Sequence, residues 1–273
     1  MTNDHDDTPY SAGVATKSFY DAVYDLDGHN YGGVRTDAEM ARPTAQLKLL
    51  RTWIARLSLD DDAHVVEVGC GVGYLHGCHP NWVGMEYSGT ALKLAKQMRG
   101  DGLRVVECDA RMLPTAPGSV DFLCSFSTLE HVPEVERAFA EFERVMKPGG
   151  VVLLAPAWNC RPWTVKKLQQ RPYSELLLSE RVGKFLIPLR ENIAFRMAMA
   201  LPQRVWRELK LIGGKPIPLD YRNLTPRFDL WETYPHISDD DAFVSMDAHA
   251  ALTFFCSRGW VPISHPNLIR RVG

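Results

Sequence analysis

The sequence predicts an α/β fold in which a parallel sheet is covered by helices on both faces. The first observation is a series of short apolar runs, each typical of a buried strand: His64–Val68, Trp82–Met85, Val105–Cys108, Val120–Ser125 and Val151–Pro156. The second observation is that helical patterns alternate with these runs, at Ser88–Met98 and Pro133–Met146. Strands that alternate with helices favour parallel pairing, because each crossover helix returns the chain to the same edge of the sheet.

Composition and size fit one large globular unit that carries an insertion. The chain has 273 residues, of which 45% are hydrophobic and 23% charged, and this balance excludes disordered and collagen-like classes. The net charge of -2 gives no general argument for nucleic-acid binding. The acidic start MTNDHDD does not resemble a secretory signal, and the six cysteines form no CxxC pair. We therefore expect a cytoplasmic protein with reduced thiols.

The chain divides into four segments by pattern. The first is an aromatic-rich cap followed by a helix, the second is the alternating core, the third is a basic helical insertion, and the fourth closes the sheet. Their predicted bounds are residues 1–57, 58–160, 161–237 and 238–273. In the last segment Ser245–Arg258 has a helical pattern, and Trp260–Ser264 and Asn267–Val272 are predicted strands.

The strongest local signal is a glycine-rich loop directly after the first strand. Gly69, Gly71 and Gly73 alternate with other residues, and Tyr74 follows. Alternating glycines allow a sharp turn and a close approach of backbone to ligand. The third glycine comes one residue too early for the G-x-G-x-x-G pattern of dinucleotide sites, and no Gly-Lys-Ser/Thr of a phosphate-binding loop is present.

Three carboxylates stand beside the predicted strand ends, where parallel sheets bind their ligands. Glu86 lies seventeen residues beyond Gly69, where a ribose diol would find a bidentate acceptor. Asp109 ends the third strand and could accept from an adenine amino group, and Glu67 could reach a ligand ammonium. A single strand-end carboxylate is ordinarily a solvated charge. Three of them at neighbouring strand ends favour a binding site.

These segments resemble the class I S-adenosylmethionine-dependent methyltransferases. The run from Glu67 to Gly73 (EVGCGVG) resembles their motif I, and Gly84–Ser88 (GMEYS) looks like their second strand with its ribose-binding acid. Asp121–Pro133 (DFLCSFSTLEHVP) is similar to the fourth-strand region of the ubiquinone/menaquinone-biosynthesis branch, and Glu143–Gly150 matches the turn before the fifth strand. The resemblance covers about a third of the chain. It implies a Rossmann-like sheet of seven strands, the last antiparallel, with a helical insertion after the fifth strand.

The resemblance also implies S-adenosyl-L-methionine as cofactor, S-adenosyl-L-homocysteine as product, and a set of cofactor-binding residues. That set is Glu67, Gly69, Cys70, Gly71, Gly73, Tyr74, Glu86, Tyr87, Asp109, Ala110, Ser125 and Phe126. Tyr20 and Tyr31 join it as members of an N-terminal tyrosine stripe that includes Tyr24 and that could fold over the donor or simply pack. The sequence departs from the family between Tyr74 and Asn81, where eight residues leave room for about one helical turn instead of a full helix.

His131 is the predicted general base. A hydroxyl acceptor must lose a proton during methyl transfer, and imidazole titrates in the right range. A histidine at this position could also cap the following helix or form part of the pocket wall. His236, beside the acidic run from Asp239 to Asp241, is a weaker alternative. We predict no metal site.

The insertion is strongly basic. Arg161–Arg227 contains fourteen Lys or Arg against five Asp or Glu, together with many apolar patches. One interpretation is a lid for an anionic, extended acceptor; another is a peripheral contact with an anionic membrane at its inner face. A third is an accessory helical layer with a solvated basic face. The region from His236 to Gly259 resembles methyltransferases associated with bacterial surface polysaccharides.

The predicted function is O-methylation of a sugar hydroxyl on a polysaccharide or on its lipid- or nucleotide-linked precursor. Methylation of a quinone or another hydrophobic small molecule is the first alternative, and a non-catalytic cofactor-binding subunit is the second. The partner is therefore a small-molecule or glycan acceptor. Nucleic acid is not expected, because the chain has Ser125–Thr128 (SFST) where nucleic-acid methyltransferases carry an Asn/Asp-Pro-Pro-Tyr/Phe-type motif. The oligomeric state stays open.

Overall fold

The computed structural model of the chain describes residues 17–24, 44–231, 233–235, 237, 239–267 and 271. These residues form two compact units. The first comprises the described residues within Met1–Ser127 and Arg137–Ala155, and the second those within Thr128–Glu136 and Pro156–Gly273. Among the described residues, no helix has both the length and the apolarity that crossing a membrane requires.

The first unit is built on a parallel sheet of five strands in the order β3-β2-β1-β4-β5. The strands are β1 (Val65–Val68), β2 (Trp82–Glu86), β3 (Val105–Glu107), β4 (Val120–Phe126) and β5 (Met146–Ala155). The central strand β1 pairs with β2 on one side and with β4 on the other, so that Val66 lies beside Val83 and Leu123. All four residues of β1 are buried, which explains why this strand is almost continuously apolar.

Among the described residues, four helical segments accompany this sheet: residues 17–23, α1 (Ala45–Arg56), α2 (Gly89–Arg99) and α3 (Val135–Val145). Thr44 and Ser88 cap α1 and α2, since their hydroxyls accept from the N–H of Leu47 and Ala91. The predicted parallel sheet and its helices are thereby confirmed to within a few residues. The shortened connection after the glycine loop is confirmed as well, because it holds only a 3-10 turn, His76–Cys78.

The second unit is mainly helical. Its helices are α4 (Pro162–Val165), α5 (Leu178–Phe185), α6 (Ile187–Glu191), α7 (Ile193–Ile212) and α8 (Ala248–Cys256). Short 3-10 turns occur at Leu129–His131, Tyr173–Glu175 and Phe228–Leu230. Two short strands, β6 (Tyr221–Asn223) and β7 (Val244–Met246), pair antiparallel in a separate sheet.

The prediction of seven strands is not confirmed, and its sixth member is wrong. Trp260–Ser264 is not a strand, and the described residues add none to the five parallel strands. Pro262 has no N–H to donate to a ladder, and Val261 is 83% exposed. Trp260 packs its ring against Phe255 instead, at a centroid distance of 5.2 Å. The strand predicted at Asn267–Val272 lies mostly outside the described residues.

Candidate active site

The glycine loop is fastened to the neighbouring strand at the carboxyl edge of the sheet. The backbone N–H groups of Gly69 and Cys70 both donate to the carbonyl oxygen of Met85, at 2.7 and 3.0 Å. The N–H of Gly73 donates back to the carbonyl of Cys70 at 2.8 Å, which closes the turn. Arg99 of α2 donates from Nε to the carbonyl oxygen of Val72 at 2.8 Å. The loop therefore has a defined shape.

Gly71 occupies a position that only glycine fits well. Its φ of +51° lies in the left-handed region, and a Cβ built on it would come within 3.1 Å of the Tyr24 hydroxyl oxygen. Conformation and space both exclude a side chain here. The backbone of Gly71 is consequently open to close approach by a ligand.

Glu86 joins the end of β2 to this loop. Its Oε2 accepts from the N–H of Gly71 at 2.9 Å, and its Oε1 accepts from the N–H groups of Tyr87 at 2.8 Å and Ser88 at 3.0 Å. Burial raises the pKa of Glu86 above its ordinary value, although the three N–H donors act in the opposite direction. The predicted ribose acceptor thus also fixes the loop.

Glu67 is a buried acid at the end of β1. Its Oε2 accepts from the indole Nε1 of Trp82 at 3.1 Å. Burial raises the pKa of Glu67 to about 8, and the nearby charge of Glu86 adds to the effect. The carboxyl is therefore mostly protonated at neutral pH when no cation is beside it.

Asp109 follows β3 and is paired with Arg111. The guanidinium binds both carboxylate oxygens, with Nη2 at 2.7 Å from Oδ2 and Nε at 3.0 Å from Oδ1. Burial opposes ionisation of Asp109, but the hydrogen bonds and charge of Arg111 outweigh it and lower the pKa. Arg111 was not foreseen in this role, although its spacing of two residues from Asp109 is visible in the sequence.

A cavity of about 230 Å³ opens beside the loop. Six of the residues predicted for the cofactor line it: Glu67, Gly69, Cys70, Gly71, Tyr74 and Phe126. Tyr24 of the tyrosine stripe lines it too, as do Val23 and Ser127, which sequence reasoning had not connected with the cofactor. Tyr87 and Ala110 follow the second and third strands, and Ser125 is buried within β4. Tyr20 packs edge-on against Phe19 at 5.1 Å, and Tyr31 lies outside the described residues.

The helical residues 17–23 are held against the sheet edge by two side chains that sequence reasoning missed. Asp21 accepts from the hydroxyl of Ser88 at 2.7 Å and from the N–H of Thr90 at 3.1 Å. Lys17 donates to the carbonyl of Tyr87 at 2.9 Å and to Glu107 at 2.6 Å. The spacing of Lys17, Asp21 and Tyr24 places them on one side of a helix, which was the available signal.

Residues 66–154 match the family model described as methyltransferase domain. This match identifies a methyltransferase domain in about a third of the chain. The chain is 25% identical over 134 residues to a sterol 4-C-methyltransferase of Caenorhabditis elegans, which covers 45% of this chain and 40% of that protein. It is 27% identical over 148 residues to a demethylmenaquinone methyltransferase of Thermobifida fusca, which covers 46% and 62%.

Among solved structures, it is similar to CalS10, an amino pentose methyltransferase from Micromonospora echinaspora with bound S-adenosylmethionine, at a TM-score of 0.38 and 23% identity. That match covers 46% of this chain and 59% of CalS10. The chain spans less than two thirds of the length of each of these proteins.

By the resemblance, S-adenosylmethionine is the expected cofactor of the methyltransferase domain at residues 66–154. Two features of the structure fit it. Gly71 lines the cavity and has no Cβ, so a ligand can lie against its backbone. The Glu67 carboxyl lines the same cavity, and it can lose its proton and bind a cationic group as a carboxylate. By the resemblance, Glu86 would hold the ribose and Asp109 the adenine amino group.

The predicted base His131 belongs to a compact acidic cluster in the second unit. Its Nδ1 lies 3.3 Å from Oδ2 of the buried Asp241, and its Nε2 lies 3.8 Å from Oε1 of Glu130. Glu130 is fully buried, and its Oε1 accepts from the N–H of Ala157 at 3.0 Å. Burial raises the pKa of Glu130. The burial of Glu130 was not apparent from the sequence.

The same cluster could hold a cation. Glu130, His131 and Asp239 each offer one ligand atom, and these atoms lie within 4.8 Å of one another. Imidazole with two carboxylates is a donor set that suits first-row divalent metals. The expectation of no metal stays a prediction, as does the weaker assignment to His236, which lies outside the described residues.

Proposed function

We propose that the chain is an S-adenosylmethionine-dependent methyltransferase. The observation that carries this proposal is the glycine loop after β1, which Glu86 fixes at the wall of a cavity that Glu67 also lines. When bound, the donor supplies an electrophilic methyl group on a sulfonium. The protein must then align acceptor and donor, which is mainly a matter of positioning. A rigid loop and buried carboxyls suit that task.

His131 has a partner that suits a general base. An imidazole that takes a proton becomes a cation, and the carboxylate of Asp241 at 3.3 Å from Nδ1 would stabilise it and fix the ring orientation. The other ring nitrogen, Nε2, lies 3.8 Å from Oε1 of the buried Glu130. Methylation of a ring carbon also releases a proton, so this arrangement suits transfer to a hydroxyl and transfer to such a carbon alike.

For the acceptor, we propose a hydroxyl carried by a sugar on a polysaccharide precursor. Two features support this choice: the basic insertion, and the resemblance of the region from His236 to Gly259 to methyltransferases associated with bacterial surface polysaccharides. Methylation of an apolar small molecule is the second candidate. The names of the relatives favour this alternative, since one acts on a sterol and one on demethylmenaquinone. Lipid-linked sugars and quinols both have an apolar chain. The two classes differ in the group that receives the methyl, which is a sugar hydroxyl in one and the quinol ring or its hydroxyl in the other.

The decisive experiment supplies methyl-labelled S-adenosylmethionine and protein to an extract of the source cells, followed by partition into aqueous glycan, lipid and protein fractions. Label released by acid as a methyl sugar supports the proposed acceptor. Label in apolar small molecules replaces it with the second candidate. Label in no fraction, together with donor binding measured by calorimetry, overturns the proposed activity. The Gly71→Val variant, which should not bind the donor, is the negative control.

A further inference from the structure

Helix α7 presents its apolar side to solvent and its charged side to the protein. The buried residues of this 20-residue helix are Arg207 and Glu208. By contrast, Met199 is 65% exposed, Trp206 58% and Ile212 82%. A helix on the surface of a globular protein ordinarily has the opposite arrangement. The pattern of α7 therefore requires an explanation other than core packing.

The inward side of α7 is fixed by charged contacts within the second unit. Arg207 binds Asp220 at 2.6 Å, and Arg204 binds Asp247 at 3.1 Å. Glu208 lies 3.0 Å from Nε2 of the buried His249. Rotating the helix to bury its apolar side would leave Asp247 and the buried His249 without these partners, which is unfavourable. The outward orientation of the apolar side is thus built into the unit.

The apolar surface extends beyond α7. Fourteen large hydrophobic side chains between Leu177 and Ile212 are more than a third exposed, including Leu178, Phe185 and Leu189 from the helices that precede α7. Contiguous apolar patches of this kind mark an interaction surface in proteins that fold on their own. We call the exposed side chains of Leu177–Ile212 the apolar face.

Cations accompany the apolar face. Arg181, Arg190, Lys210 and Lys215 are exposed on or next to it, whereas Glu191 is the exposed acid of the same stretch. We propose that the apolar face inserts into the interfacial region of an anionic membrane, with these cations at the level of the lipid headgroups. Apolar burial and attraction to anionic lipid act together on such helices, and an exposed tryptophan suits the interface.

Charge complementarity favours a membrane over a second copy of the chain. In a symmetric dimer the same patch meets itself, so the cations around the apolar face would oppose like charges. An anionic bilayer supplies the opposite charge and an apolar layer at once. The surface also fits an acceptor with a lipid carrier, although membrane binding stands independently of which acceptor is methylated and of whether any methyl transfer occurs.

The test is flotation of the full chain with vesicles of pure phosphatidylcholine or of phosphatidylcholine with 30% phosphatidylserine, in the absence of methyl donor. We expect binding to the anionic vesicles that weakens as salt rises. The double variant Met199→Glu/Trp206→Glu should reduce the bound fraction at least tenfold. Met112→Glu/Val261→Glu is the matched control, since these side chains are 74% and 83% exposed and lie outside the Leu177–Ile212 segment. It should bind like the wild type.

Three results would overturn the proposal. One is no binding of the wild type to anionic vesicles, and another is equal loss in the test and control variants. The third is a stable dimer in analytical ultracentrifugation that Met199→Glu/Trp206→Glu converts to a monomer, because the apolar face would then be an interface between copies. Circular dichroism of both double variants checks that the fold is retained. Failure of methyl transfer would leave the flotation result unchanged, so the two proposals are tested separately.

Discussion

Oε2 of Glu86 accepts a hydrogen bond from the backbone N–H of Gly71 at 2.9 Å, so the end of β2 determines the shape of the loop that follows β1. This hydrogen bond connects two strong sequence signals, the glycine loop and the acid at the end of β2. The other oxygen of Glu86 accepts from the backbone N–H groups of Tyr87 and Ser88. One carboxylate therefore lies where the loop, the end of β2 and the start of α2 meet. The glycine loop is thus shaped in part by an acid fifteen residues away in the sequence.

Replacing this carboxylate should weaken the donor site. In Glu86→Gln one of the two oxygens becomes an NH₂ group, which faces backbone N–H donors and leaves at least one of them unsatisfied. We expect donor affinity to fall about tenfold to a hundredfold, equivalent to about 1–3 kcal/mol. Titration calorimetry with S-adenosylhomocysteine measures it. Asp101→Asn, at an exposed turn, is the control, and equal affinities in both variants would refute the role of Glu86.

Gly71→Val should abolish donor binding. The new side chain must adopt a φ near +51° and would collide with Tyr24, besides filling the space beside the loop. Gly118→Val separates strain from obstruction, because Gly118 has a φ of +61° and its Cβ would meet nothing within 4 Å. Calorimetry should show binding to the Gly118 variant at near wild-type affinity. If the Gly71 variant binds as well, the loop is not the donor site.

Donor binding should strengthen as pH rises toward about 8. Burial raises the pKa of Glu67 to about 8 in the free protein, so the carboxyl carries a proton at pH 6 to 7. A cationic ligand beside it favours the carboxylate, and binding therefore releases the proton. Below the free pKa, the dissociation constant should fall by up to about tenfold per pH unit and then level off. Affinities measured from pH 6 to pH 9 should lose this slope in Glu67→Gln; an unchanged slope would place the proton elsewhere.

His131→Ala should reduce turnover and spare the donor site. Loss of a general base costs about 10²–10⁴-fold in rate. Donor affinity by calorimetry should stay within a factor of about two, because the residues that line the donor cavity are untouched. Asp241→Asn should lower turnover less, since the imidazole is retained. His265→Ala, at a half-buried position where the ring contacts Ser264, is the control. Near-normal turnover of His131→Ala would reduce His131 to a structural residue.

The parts of the fold that could be predicted are those encoded locally. Valine-rich strands, the alternating glycines and the acids at strand ends lie in short segments whose pattern reflects burial and turn geometry directly. The strand predicted at Trp260–Ser264 is wrong because the prediction gave more weight to the apolar β-branched residues than to Pro262. Asp21 depends on a partner more than sixty residues away in the sequence, so no local pattern could reveal its contact.

The orientation of helix α7 also could not be predicted from a local sequence pattern. The sequence predicts helix-like apolar patches that prolines cut into short pieces, and the second part of this prediction is wrong here, because α7 continues through Pro202. The direction of its apolar side is decided by Arg204, Arg207 and Glu208, whose partners are Asp247, Asp220 and His249. The apolar patches in the sequence predict that the helix has an apolar side. The ion pairs with distant residues determine that this side faces outward.

Lys167 and Asp240 form a buried ion pair in the second unit. Nζ of Lys167 lies 2.6 Å from Oδ2 of Asp240, and both side chains are fully buried. Nζ also donates to the carbonyl of Pro235 at 3.1 Å. Removing one partner leaves an uncompensated charge in the interior, so Lys167→Met should lower the free energy of unfolding by about 3–5 kcal/mol.

Urea denaturation of the variants tests this pair by a double-mutant cycle. Lys167→Met/Asp240→Leu removes both charges and should recover much of the loss, because no unpaired ion remains. Arg227→Met removes one partner of the exposed pair with Asp229 and should cost less than about 1 kcal/mol. If Lys167→Met costs no more than Arg227→Met, water reaches the Asp240 carboxylate and the pair is not a determinant of stability. A double variant as unstable as Lys167→Met would instead indicate that the aliphatic stem of Lys167, through its packing, contributes more than the charge.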